Sequence, residues 1–183
     1  MLILSSFRTR FTFSIFVFFT ISAINLYAQR LPITVVPSHY KLFLDPDIGA
    51  QKFTGEETIS VQVQQATGEI LLNSLGLEIS LAEATAENTI LPAQVTYDQP
   101  NEMVRLIFAK PVPKGAIDLH LKFSGKLTAG LRGLYLSKSA RRQYAVTQFE
   151  GTYARMMFPS FDEPAFKATF DLSVIADKGD TAI

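Results

Sequence analysis

Hydrophobic and polar side chains alternate with a period of two residues along much of the chain. The clearest case is 117–123, where four apolar residues alternate with three polar ones, and the same pattern occurs at 40–45 and 59–64. Successive side chains of a β-strand point to opposite faces. Each of these segments is therefore predicted to be a strand with one face in a core and the other in water.

Shorter apolar runs of β type fill the rest of the chain, separated by turns rich in Pro, Gly, Asn and Asp. They lie at 70–72, 77–81, 90–97, 104–108, 144–149 and 168–175. About nine or ten strands at this spacing predict an all-β fold, an antiparallel β-sandwich or barrel. Helix is expected only as one or two turns between residues 152 and 166.

The first 28 residues have a different composition from the rest. They contain two Arg, no Asp or Glu, and an apolar stretch at 11–26 that is followed by Ala28. This order is typical of a secretory signal peptide, so we expect cleavage after residue 28 and export to the periplasm, cell surface or medium. A membrane anchor at 11–26 is less favoured, because polar residues interrupt a stretch shorter than the ~20 apolar residues of a spanning helix. The predicted β-domain is then 29–183.

Charge and composition exclude several classes of function. Without residues 1–28, which hold two of the 17 basic residues and none of the 17 acidic ones, the formal net charge is −2. This balance argues against binding to nucleic acid, which requires a basic surface. The chain contains no Cys, so disulfide bonds, thiolate metal ligands and a Cys nucleophile are excluded.

Candidate catalytic or metal-binding residues are few. His39 precedes the first predicted strand and His120 lies on the polar side of another, and neither has a second ligand at H-x-x-x-H spacing. We expect both to be ordinary surface or strand-end residues. Glu56 and Glu57 follow Gly55 near a predicted strand start, and we expect both carboxylates to be solvated.

The segment 144–170 combines the most polar and aromatic features. A strand there places Gln148 and Glu150 on the same side, with Phe149 pointing into the packing. Two such polar groups could hold an amine or amide ligand. An ordinary polar strand edge is the alternative that periodicity alone favours.

A structural ion pair is expected in the loop that follows. Arg155 is close in sequence to Asp162 and Glu163, and a guanidinium group binds carboxylates in a fixed geometry. We expect this pair to hold the loop, with no direct part in chemistry.

A set of ordered motifs carries a family resemblance. They are Leu31-Pro32 with 36–47, Phe53-Thr54-Gly55, 70–73, Gly133-Leu134-Tyr135, Gln148-Phe149-Glu150, Phe158-Pro159 and Asp162-Glu163-Pro164-Ala165. In this order they resemble the N-terminal domain of the zinc aminopeptidases of the aminopeptidase N family, whose relatives include leukotriene A4 hydrolases and endoplasmic-reticulum aminopeptidases. The resemblance covers residues 31–183. One departure is Ser160, where the family often has Cys, and we expect it to be neutral.

The resemblance implies a saddle-shaped β-sandwich that packs against a thermolysin-like catalytic domain of the same polypeptide. It also implies that Glu150 binds the free α-ammonium group of a peptide substrate, and that Gln148 lines the pocket for the first side chain. A buried carboxylate facing an ammonium group forms a charge-assisted hydrogen bond and selects peptides with a free N-terminus.

The zinc-binding H-E-x-x-H motif that the resemblance implies does not occur in the 183 residues. We therefore expect zinc to be bound by a missing domain, and this chain to be a truncated N-terminal part that is inactive alone. The alternative is a stand-alone exported β-sandwich with a binding or scaffold role. A truncated part predicts an exposed apolar patch, whereas a stand-alone module predicts a polar surface there.

Overall fold

Strands dominate the computed structural model, which describes residues 30–183. The strands are β1 Val35–Asp47, β2 Lys52–Val63, β3 Thr67–Asn73, β4 Glu78–Ala86, β5 Thr89–Asp98, β6 Met103–Val112, β7 Gly115–Lys126, β8 Gly133–Lys138, β9 Gln143–Gln148 and β10 Thr169–Val174, and the short 3-10 helices are Gln99–Asn101 and Ala154–Met156. The predicted signal peptide 1–28 and the alternative anchor 11–26 lie outside the described residues. In the part that is described, no helix has the length and apolar character needed to cross a membrane.

Eight strands form one curled sheet in the order β10-β1-β2-β7-β4-β5-β6-β3, and β8 pairs with β9 in a separate hairpin. The pairs are antiparallel except that of β10 with β1, which is parallel from His39 opposite Thr169 to Leu44 opposite Val174. The all-β prediction is confirmed, and antiparallel pairing holds for every other pair in the described sheet. Alternation alone could not reveal the parallel pair, because it does not specify which strands are neighbours.

The predicted alternation builds the core on the inner face of this sheet. Tyr40, Leu42 and Leu44 of β1 are each at most 3% exposed, and the apolar residues of the rows 59–63 and 117–123 are at most 5% exposed. Each such side chain contributes about 1.5–3 kcal/mol by leaving water. The rows meet because β2 lies between β1 and β7.

Two crossed contacts between phenylalanine and glycine fix the spacing of β2 and β7. Phe53 lies opposite Gly125, and Gly55 lies opposite Phe123. A Cβ at Gly55 or at Gly125 would lie 2.3 Å from the Cζ atom of the facing ring. Each ring thus occupies the space that a side chain on the neighbouring strand would need, so both positions require glycine.

Three expectations about individual residues need correction. His39 lies within β1 and not before it, and Gly133–Lys138 forms a strand that we did not predict. Glu57 is 1% exposed, so the expectation that it is solvated is wrong. Because β2 already begins at Lys52 and its side chains alternate between the two faces of the sheet, Glu57 lies on the same inward face as Ile59.

Glu56, His120 and the helical turn after β9 lie where the sequence predicts them. Glu56 is on the outer face and its carboxylate lies 3.3 Å from His120 Nε2 and 3.2 Å from Lys122 Nζ. His120 is therefore on the polar side of its strand, as expected. The expected helical turn is the 3-10 helix Ala154–Met156.

The edge strand β10 presents an apolar row to solvent. Phe170, Leu172 and Val174 are 54%, 59% and 39% exposed. They lie opposite Tyr40, Leu42 and Leu44 in the parallel pair, and so on the core side of the sheet. This row is an exposed apolar patch of the kind that marks a contact surface.

Candidate functional site

The candidate site lies where β9 ends. Gln148 is the last residue of the strand, and Glu150 follows in the next turn, with both side chains exposed. Gln148 Oε1 accepts a hydrogen bond from the backbone N–H of Glu150 at 2.7 Å. The two predicted site residues are therefore brought into direct contact, through a turn and not through a continuous strand.

The residue between them anchors this turn to the core. Phe149 is half-buried and its ring packs edge-to-face on Phe158, with centroids 6.4 Å apart. Its carbonyl accepts a hydrogen bond from the N–H of Tyr153 at 3.1 Å, which closes the turn around Glu150. The peptide bond between Glu150 and Gly151 is cis. The prediction that Phe149 points into the packing is confirmed.

The 3-10 helix Ala154–Met156 that follows packs against the start of β8. Gly133 has a φ of +64°, and a Cβ there would lie 2.5 Å from Met156 Cβ. Only glycine combines this left-handed backbone with such a close approach. The segment carrying Glu150 is thus held at both ends, by the β8–β9 pairing on one side and this contact on the other.

The largely buried Arg155 is the centre of an ion-pair group that we call the Arg155 clamp (Arg155, Asp162 and Glu102), in which Glu102 is partly exposed. Its Nε donates to Asp162 Oδ2 at 2.9 Å and its Nη1 donates to Glu102 Oε2 at 3.0 Å. Its Nη2 donates to the Asp162 carbonyl at 3.3 Å. A guanidinium group with several such partners is far more fixed than one in a surface pair.

The clamp only partly matches the prediction. The expected pair of Arg155 with Asp162 is confirmed, but the expected pair with Glu163 is wrong. Glu163 Oε1 instead accepts a hydrogen bond from the N–H of Leu31. Glu102 was missed because it is 53 residues from Arg155, and no local pattern connects them.

Backbone hydrogen bonds join the clamp to the loop between β3 and β4. The N–H of Leu75 donates to the Arg155 carbonyl at 2.9 Å, and Asn73 and Ser160 exchange two bonds at 2.8 and 3.0 Å. The N–H of Phe161 donates to Tyr40 Oη at 3.0 Å. Burial raises the pKa of Tyr40 well above its ordinary value, so this hydroxyl group stays neutral.

The candidate site presents an exposed carboxylate but, among the described residues, no group of metal ligands. Within residues 30–183, no three His, Asp or Glu side chains are grouped so that they could hold a metal ion. His39 lies 3.4 Å from Asp171, on a different strand from His120. Glu150 forms no ion pair in this part of the chain, so its exposed carboxylate can accept hydrogen bonds from an ammonium group.

The surface around Glu150 is open. Two cavities, of about 240 Å³ beside Ile70 and about 160 Å³ beside Tyr40, do not include Gln148 or Glu150. A ligand bound at Glu150 is therefore not enclosed by either cavity. Small-molecule sites in proteins are usually concave, so the open surface at Glu150 forms only part of a binding site.

Known proteins resemble this chain over most of its length. Aminopeptidase N of Acetobacter pasteurianus is 40% identical over 161 residues, which are 85% of this chain and 44% of that protein. Aminopeptidase M1-D of Oryza sativa subsp. japonica is 38% identical over 149 residues, 79% of this chain and 17% of that protein. Endoplasmic reticulum aminopeptidase 2 of Homo sapiens is 36% identical over 157 residues, 79% and 16% respectively.

This chain spans less than half the length of each of these relatives. The Peptidase M1 N-terminal domain family matches residues 36–183, a range that begins in β1 and contains all ten described strands except the first residue of β1. The resemblance found in the ordered motifs is thereby confirmed. The chain belongs to the Peptidase M1 N-terminal domain family, the family of N-terminal domains of M1 aminopeptidases.

Proposed function

We propose that this chain is the substrate-anchoring part of an exported zinc aminopeptidase that removes N-terminal residues from peptides. In this proposal Glu150 binds the α-ammonium group of the peptide and Gln148 lines the pocket for its first side chain. The observation that carries it is the exposed Glu150 carboxylate, fixed beside Gln148, in a domain of the M1 aminopeptidase family.

The chemistry of Glu150 suits this role. A carboxylate that accepts hydrogen bonds from an ammonium group forms interactions about twice as strong as neutral ones, and more so when water is excluded. An internal peptide bond offers no such cation, so the contact selects the free N-terminus. Gln148 contributes by holding the backbone of Glu150, and therefore by fixing where its carboxylate can reach.

Hydrolysis itself is assigned to another part of the full-length enzyme. The described residues offer no metal site, and the 183 residues contain no H-E-x-x-H motif. Zinc, which activates the attacking water in such enzymes, is then bound by a thermolysin-like domain of the same polypeptide. The exposed row Phe170, Leu172 and Val174 supports this, since an apolar patch is expected where another domain packs.

The test is Glu150→Ala in the full-length enzyme, recovered from outside the cytoplasm. Loss of a charge-assisted hydrogen bond worth about 1.5–3 kcal/mol predicts a fall of roughly 10- to 150-fold in kcat/KM, with KM raised and kcat lowered. Peptides with a free N-terminus are the substrates. The first residue of the recovered protein, expected to be Gln29, reports on export.

The matched control is Glu78→Gln, which changes an exposed glutamate far along the chain and is expected to leave kcat/KM unchanged. A change of less than twofold for Glu150→Ala would remove Glu150 from the amine site. A protein that contains no zinc and cleaves no peptide would support the stand-alone binding module instead.

A further inference from the structure

Glu57 is an acidic side chain inside an apolar core. It lies on the inward face of β2, between Leu42 of β1 and Leu121 of β7, and is 1% exposed. Neither carboxyl oxygen has a hydrogen-bond partner among the described residues. A buried polar group without a partner is rare and costly, so its state needs an explanation.

No cation faces Glu57 from the elements packed around it in the described part of the chain. On the inward face of β1 the only titratable group is Tyr40, which is neutral, and behind Tyr40 lies Asp162, whose charge is already paired with Arg155. From β7 the inward residues are Leu119, Leu121 and Phe123, and from β4 they are Ala82 and Ala84. The side chains of His120 and Lys122 point to the outer face, where they meet Glu56.

This setting makes the protonated form the stable one. A carboxylate in an apolar core without a counter-ion is so unfavourable that such a group takes up a proton instead. Burial accordingly raises the pKa of Glu57 well above its ordinary value. When the core opens, the carboxyl meets water and releases the proton at any pH above about 4.3, the ordinary value for glutamate.

We propose that Glu57 makes the β1–β2–β7 core a pH-sensing element, which is tightest when the carboxyl group is protonated and opens more readily as pH rises. The effect extends to the Arg155 clamp, because β1 carries Tyr40, whose hydroxyl holds Phe161 beside Asp162. This inference does not depend on the role proposed for Glu150.

The sign follows from proton linkage. The open state binds fewer protons than the closed state between the ordinary pKa of glutamate and the raised pKa of Glu57, so stability is lost as pH increases through that window. One proton changes the opening equilibrium by at most tenfold per pH unit. Below about pH 4 the contribution is fully present.

The experiment compares the full chain with Glu57→Gln, which has nearly the same shape and cannot ionise. Unfolding in urea is followed at intervals from pH 5 to pH 8. The unfolding constant of the wild-type protein, divided by that of the variant, is expected to rise between pH 5 and pH 7, by no more than tenfold per pH unit. A ratio that stays within twofold over this range would overturn the proposal. Glu78→Gln, at an exposed position, is the control and should give a flat ratio.

A second measurement covers the case in which Glu57→Gln does not fold. Carbon-13 spectra of the wild-type chain with labelled glutamate report each carboxyl group directly. One glutamate carboxyl is expected to titrate at a higher pH than all the others, and its signal should be absent from the spectrum of a folded Glu57→Leu variant. Titration of every glutamate near pH 4–5 would overturn the proposal.

Discussion

The inner face of β2 and the Arg155 clamp each bury one ionisable side chain, but they surround it differently. Glu57 has no partner for either carboxyl oxygen, whereas Arg155, 9% exposed, donates three hydrogen bonds to Asp162 and Glu102. Both side chains are buried, but only Arg155 has hydrogen-bond partners. The comparison shows two ways to bury an ionisable group: Arg155 is accommodated by hydrogen-bonded carboxylates, whereas Glu57, without partners, is more stable in its neutral form.

The two regions also obtain their shape in different ways. The core between β2 and β7 is built from packed apolar rows and from the crossed contacts of Phe53 with Gly125 and of Phe123 with Gly55. The clamp is built from directional hydrogen bonds between loops that are distant in sequence. Packing energy is spread over many contacts, while the clamp depends on one guanidinium group.

The largest effect is expected from Arg155→Met, which breaks the clamp. The change leaves the carboxylates of Asp162 and Glu102 close together without their cation, and removing one partner of a buried ion pair costs about 3–5 kcal/mol. Because Glu102 remains partly in water, we expect the lower end, about 3 kcal/mol, measured by urea unfolding at pH 7. Arg155→Lys keeps one charge but loses the forked geometry, so it should lose less. A loss below 0.5 kcal/mol for Arg155→Met would show that the clamp does not hold this region together.

A smaller effect is expected from Gly125→Ala in the core. The new methyl group would meet the Phe53 ring and the Leu77 side chain, and forcing extra volume into a packed core costs about 1–3 kcal/mol. Gly68→Ala is the matched control, because nothing lies within 4 Å of the added Cβ, and its unfolding free energy should change by less than about 0.5 kcal/mol. Equal results for the two variants would contradict the crossed packing of β2 and β7.

The smallest effect is expected from Arg132→Ala, at the exposed margin of the clamp region. The guanidinium carbon lies 5.0 Å from the centre of the Tyr153 ring, a cation–π contact that contributes about 0.5–1 kcal/mol at an exposed site. Urea unfolding of the wild-type protein and the variant, at low and at high salt, measures this loss of unfolding free energy. If Arg132→Ala lowered the unfolding free energy as much as Arg155→Met, an exposed cation would stabilise the fold as much as a buried, hydrogen-bonded one, and the expected difference between the two would be contradicted.

The core could be predicted from the sequence because alternation acts locally. The apolar rows of β1, β2 and β7 are buried as their period of two indicates. Glu57 also carried a usable signal, since it is in phase with Phe53, Gly55 and Ile59. The alternation at 59–64 predicts a later strand start than the observed Lys52, and Glu57 is therefore expected in water. A polar residue in phase with an apolar row deserves to be tested as a buried one.

The Arg155 clamp was harder to predict from the sequence, because its residues are brought together only in the folded protein. Glu102 adopts a left-handed backbone with a φ of 54° after the 3-10 helix Gln99–Asn101, and no sequence pattern indicates that it meets Arg155. Gln148 and Glu150 were found together through both alternation and family resemblance. The hydrogen bond between Gln148 and the N–H of Glu150 is an observation that no pattern predicted, and their roles toward a substrate stay predictions.

The parallel pairing of β1 with β10 has a consequence for how the chain folds during synthesis. His39 and Thr169 are 130 residues apart, so β1 cannot gain its outer neighbour until these intervening residues have been synthesised. Contacts of such long sequence separation form slowly, and an unpaired strand edge can join other chains in the meantime. Until β10 pairs with it, β1 is therefore expected to be prone to joining other chains, and that pairing moves the exposed edge from β1 to β10.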